Sequence, residues 1–158
     1  MSEARRPALF DTFPDAIGKL PYQSLGRWPT ALDIHAGDHA DLDCAQLLIK
    51  RDDLSAAAYG GNKIRKLEFL LAAARTGGAC GVITFGVAGS NHALATTVCA
   101  GQCGLQSYSL LTRQTNASYV RRNLLCGHQA GATLIACDSE PDAAATSRRL
   151  VAEAQTRG

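Results

Sequence analysis

Residues 62–104, NKIRKLEFLLAAARTGGACGVITFGVAGSNHALATTVCAGQCG, decide the fold. Ile64, Leu67, Leu71 and Ala74 recur at helical spacing, so residues 62–75 read as a helix that Gly77 and Gly78 stop. Residues 81–85 are a short unbroken apolar run, suited to a strand buried on both faces. The glycine-rich loop 86–90 then leads into a second helix ending near Gly104. Towards the C-terminus the alternation continues, with strands at 107–111 and 133–137 and helices at 118–126 and 142–154, the last introduced by Ser139 and Pro141. Such alternation predicts an α/β chain, an open parallel sheet in three layers with right-handed helical crossovers. Towards the N-terminus the pattern changes. Pro14, Pro21 and Pro29 break it up, residues 46–50 are the clearest strand, and residues 1–60 read as a segment of another layer.

Composition narrows the function classes. The 158 residues carry 16 basic and 14 acidic side chains, a formal charge of +2, which excludes a strongly basic nucleic-acid binder. With 46% hydrophobic and 19% charged residues the chain is globular, and one domain is the default for this length. No apolar run approaches the roughly 20 residues of a membrane helix, and the opening MSEARRPALF lacks a signal-like stretch. A soluble, cytoplasmic protein without membrane partners is therefore expected. The six cysteines form no CxxC pair and sit in apolar surroundings, so buried free thiols and no metal site are expected, with Cys99 and Cys103 packing on one helix face. His35 and His39 have the spacing of a helical metal pair, but Gly37 and the nearby aspartates favour a polar loop.

Two segments carry chemistry. In residues 50–66, KRDDLSAAAYGGNKIRK, two glycines and Asn62 place Lys63 in the first turn of a helix, where backbone N–H groups and the helix dipole create positive potential. Arg65 and Lys66 add to it. Such a field favours the neutral amine, which is what attack on a carbonyl needs, and it attracts phosphate. A solvated basic helix start is the equally open alternative. In residues 84–95, TFGVAGSNHALA, small residues beyond the end of a strand let a ligand approach the backbone, while Ser90, Asn91 and His92 supply hydroxyl, amide and imidazole. Ser90 as a mere helix cap is the bland alternative. Neither a dinucleotide fingerprint nor a GxSxG elbow is present.

Together GGNKIRKLEFLLAAA (60–74) and ITFGVAGSNHALA (83–95) resemble the D-cysteine desulfhydrase and 1-aminocyclopropane-1-carboxylate deaminase family, pyridoxal-phosphate enzymes of the tryptophan-synthase-β fold type, fold type II. The likeness extends to LGRWPTALD (25–33), LLIKRDDL (47–54) and, weakly, NLLCGHQAGATL (123–134). The resemblance implies that Lys63 forms the Schiff base with pyridoxal 5'-phosphate, that Lys66 lies near the phosphate, and that Asn62 and Asn91 bind the cofactor, Asn91 at its phenolic oxygen. It also implies that Ser90, Asn91 and His92 meet a small amino-acid substrate, and that Ser90 assists proton transfer. His92 is the residue of the desulfhydrase branch, where a glutamine is expected in the deaminases. D-cysteine, converted to pyruvate, sulfide and ammonia, is therefore the leading substrate, with cyclopropane ring opening or a non-catalytic remnant as alternatives.

Departures from the family pattern are specific. Gly89 replaces the glutamine of QSNHxR, Leu94 replaces its arginine, and Ala31 stands for a proline. Family members run to about 300 residues, at the upper end of ordinary domains. The resemblance therefore implies that residues 1–60 begin the larger cofactor domain, that 61–158 form the smaller α/β domain, and that the C-terminal half of the larger domain is absent. It further implies a homodimer for the full-length enzyme.

Overall fold

A computed structural model describes residues 7–39 and 44–157 and divides into two compact units, residues 1–70 and 71–158. The first unit holds helix α1 (Ala8–Thr12), strands β1 (Leu32–His39) and β2 (Cys44–Lys50), a 3-10 turn at Asp52–Leu54, and the start of helix α2 (Lys63–Thr76). Strands β1 and β2 pair antiparallel, with Ile34 opposite Leu48 and Leu32 opposite Lys50. His35 and His39 are therefore on a strand and not on the polar loop expected from Gly37. Pairing with Leu47 and Cys44 on β2 overrides the local glycine signal. The side chains of His39 and Cys44 lie outside the described residues. Phe10, Tyr22 and Phe69 form an aromatic cluster with centroids 5.3 to 5.9 Å apart, the edge and tilted contacts such rings prefer.

The second unit runs from the end of α2 through β3 (Gly81–Val87), α3 (Asn91–Gln102), β4 (Gln106–Thr112), α4 (Ser118–Gln129), β5 (Ala132–Cys137) and α5 (Glu140–Arg157). The strands lie parallel in the order β3-β4-β5, with Phe85 beside Leu110 and Leu110 beside Ile135. On one face Leu110 and Cys137 pack with Ala143 of α5, joined by Ile83, Ile135 and Leu150. The other face mixes small polar residues with Leu111 and Leu134. There Thr97 of α3 bonds Ser107 at 3.0 Å, Thr84 bonds Ser109 at 3.3 Å, and Gly127 of α4 faces Leu134. Helices on both faces make the three-layer α/β arrangement that the alternation predicts.

Local differences have physical causes. Strand β3 is at the edge of the sheet, so Phe85 is 53% exposed although the apolar run predicts burial on both faces. Helix α4 continues past Cys126 to Gln129, because Gly127 is buried inside it and the stop comes at Gly131, with φ +91°. Cys99, Cys103 and Cys137 are buried, but Cys80 and Cys126 are exposed, since one precedes β3 in a turn and the other lies on the outer side of α4. Among the described residues, no helix is long and apolar enough to cross a membrane.

Candidate functional site

In the first unit, α2 begins at Lys63, and the turn before it fixes where that residue emerges. The buried Ser55 hydroxyl accepts the Gly61 N–H at 3.0 Å and donates to the Gly61 carbonyl at 3.2 Å, while the Asp52 carbonyl also accepts the Gly61 N–H, at 2.7 Å. Gly60 is required by close approach, because a Cβ there would lie 1.8 Å from the Asp53 carbonyl oxygen. Lys63 is half-buried, and Asn62 and Lys66 are exposed beside it. Ile64, Leu67 and Leu71 are buried, as their spacing predicts, which leaves Lys63 at the margin of the buried stripe of α2 and Lys66 outside it.

The charges around this helix start differ from the sequence expectation in one respect. Arg65 does not add free positive charge, because its guanidinium pairs with Asp52 at 2.8 Å and covers the Trp28 ring at 3.9 Å. That guanidinium, with a further hydrogen bond from Thr30, holds the Asp52 carboxyl below the usual carboxylate range against the cost of partial burial. Neither Lys63 nor Lys66 forms an ion pair among the described residues. The helix start thus offers an anchored amine with a second ammonium one turn on.

In the second unit, Ser90, Asn91 and His92 come together where β3 gives way to α3. Ser90 is the helix cap: its Oγ accepts the Ala93 N–H at 3.2 Å. Capping uses acceptor capacity only, so the hydroxyl hydrogen is left for an acceptor. Asn91 is exposed at the first turn, and the half-buried His92 has its carbonyl bonded by Thr96 at 2.9 Å. Leu94, at the position of the family arginine, is buried in this unit.

Sequence reasoning missed three residues. Gln114 accepts the Gly89 N–H at 2.8 Å, and its Oε1 lies 2.9 Å from where a Cβ on residue 89 would be. Asn123, 6% exposed on α4, donates through Nδ2 to the Gly89 carbonyl at 2.9 Å and to Asn91 Oδ1 at 2.8 Å. Glu68, 2% exposed on α2, gathers residues 25–28 onto one carboxylate oxygen. The available signal was a polar residue on an apolar helix stripe. Asn123 shares its face with the buried Val120 and Gly127, and Glu68 follows Leu67 on the buried side of α2.

Residues 23–157 match the model of the pyridoxal-phosphate dependent enzyme family. The chain is 40% identical over 148 residues to the nocardicin C-9' epimerase of Nocardia uniformis subsp. tsuyamanensis, covering 90% of this chain and 43% of that protein. It is 40% identical over 95 residues to the D-cysteine desulfhydrase of Salmonella paratyphi A, covering 60% of this chain and 29% of that one. The crystal structure of an ACC deaminase homologue superposes with a TM-score of 0.75 at 30% identity, covering 97% of this chain and 45% of the other. The chain thus spans less than half the length of each of these relatives. Family pattern and fold agree over nearly all of its residues, and the chain belongs to the pyridoxal-phosphate-dependent enzymes, fold type II.

Proposed function

We propose that the protein is a lyase acting on a small D-amino acid, D-cysteine foremost, and that this chain supplies its cofactor-holding lysine. The observation that carries the reading is Lys63 at the first residue of α2, anchored by the Gly60–Gly61 turn and without an ion pair among the described residues. In this reading, which carries the roles over from the family resemblance, the Lys63 amine takes the aldehyde of pyridoxal 5'-phosphate, the Lys66 ammonium its phosphate, and the Asn91 amide its phenolic oxygen. When bound, that cofactor supplies an electron sink for the carbanion left by loss of the substrate Cα proton. Lys63 would hold the cofactor through its Nζ, and the same Nζ would take the substrate Cα proton. Ser90 donates its hydroxyl hydrogen to the substrate carboxylate or assists the transfer, and His92 borders the same ligand. Asn62 lines the cofactor beside Lys63.

His92 and the desulfhydrase relative support D-cysteine over the cyclopropane substrate. Residues 1–60 belong in this reading to the larger domain and 61–158 to the smaller one, in a cytoplasmic homodimer. One observation favours a second reading: the epimerase relative aligns over 90% of this chain against 60% for the desulfhydrase. Inverting a stereocentre also begins with removal of a proton, so Lys63 would keep its role.

Incubation of the cofactor-loaded protein with D-cysteine in D2O separates the readings. Sulfide and pyruvate together support the lyase. Deuterium at Cα with no sulfide supports the epimerase, and neither product contradicts both.

A further inference from the structure

Asn123 sits on α4 with no direct claim on the cofactor, yet it is nearly fully buried and its amide nitrogen serves two acceptors. One of these, the Gly89 carbonyl, can only accept a hydrogen bond. Asn123 must therefore present its NH2 to that side, and the Asn91 atom 2.8 Å from the same nitrogen must be the carbonyl oxygen Oδ1. With Oδ1 turned to Asn123, the Asn91 NH2 takes the other edge of the planar amide, across Cγ from that oxygen. The loop is held from both ends of residue 89, since Gln114 takes the Gly89 N–H at 2.8 Å and itself donates to the Tyr119 hydroxyl at 2.5 Å.

We propose that Asn123 is a positioning residue: by fixing the amide of Asn91 it makes that side chain a hydrogen-bond donor to its ligand, and so selects a ligand oxygen that accepts, such as a phenolate. The inference rests on the reading of Asn91 as a cofactor contact, but the clamp itself does not. An aspartate at 123 reverses the logic. Its carboxylate cannot donate to the Gly89 carbonyl, and it attracts the Asn91 NH2, leaving Asn91 Oδ1 to face the ligand.

The test compares the wild type with N123D, N91A and N123D/N91A, using two readouts. The first is the side-chain amide resonance of Asn91 in the 15N spectrum of the cofactor-free protein, which should shift in N123D while the backbone amide resonances of β4 and β5 stay in place. The second is the dissociation constant of pyridoxal phosphate, which N123D should raise about 10- to 100-fold, the range of a lost hydrogen bond to a charged acceptor. In the N91A background the same substitution should add no more than about 2-fold, because a residue acting through Asn91 has nothing left to act on. An unchanged Asn91 resonance in N123D, or an undiminished effect in N91A, overturns the proposal. If the wild type takes up no cofactor, the functional reading fails, while the Asn91 resonance still decides the clamp.

Discussion

The indole N–H of Trp28 donates to Glu68 Oε1 at 2.9 Å, and the same oxygen accepts the backbone N–H groups of Leu25 and Gly26 at 3.0 Å each. One buried carboxylate thus satisfies three donors from the segment that leads to β1. The geometry separates two substitutions. E68L strands three part-buried donors and should lower stability by about 2 kcal/mol or more, whereas E68Q keeps an acceptor oxygen and should cost clearly less. Urea denaturation checks both, and equal losses in the two variants contradict the assignment.

Restoring the family glutamine should harm this chain. A Cβ at residue 89 would lie 2.8 Å from Tyr119, 2.9 Å from Gln114 and 3.0 Å from Val120. Overpacking at such a site costs about 1–3 kcal/mol. The expected result is that G89Q is destabilised by that amount, and that G89Q/Q114A recovers part of it, as coupled neighbours do. A G89Q protein as stable as the wild type shows that Gln114 does not occupy the space.

Stability at low pH should depend on Asp52. Its folded-state pKa is held down chiefly by the hydrogen bond from Arg65. A carboxylate whose pKa is depressed on folding stabilises the protein above its unfolded pKa, and the contribution is lost as pH falls through the folded value. Acidification below about pH 4, where aspartate ordinarily titrates, should therefore destabilise the wild type more steeply than D52N. Thermal denaturation from pH 6 to pH 2.5 checks this, and parallel curves contradict it.

The second unit was legible because period alone distinguishes its elements: 2.0 or continuous for the strands and 3.6 for α2, with glycines marking the stops. Edge position is not encoded that way, which is why the exposure of Phe85 was hidden in an apolar run. The strand carrying His35 was equally hidden, because its partner is a register choice made by β2 and not by its own residues. At the candidate site the residues with obvious chemistry, Lys63 and Ser90 to His92, were readable. Those that hold them were not: Gln114 and Asn123 act on the Gly89 loop from positions distant in sequence, and hydrogen bonds between distant segments leave no periodic trace. The pairing of Arg65 with Asp52 was missed for the same reason.

In the proposed function Lys63 is the residue that takes the cofactor. Incubation of the chain with pyridoxal 5'-phosphate, reduction with borohydride and peptide mapping by mass spectrometry measure it directly. One phosphopyridoxyl adduct is expected, on Lys63, and none in K63A although Lys66 remains. An adduct that persists in K63A, or a wild-type chain that carries none, would contradict it.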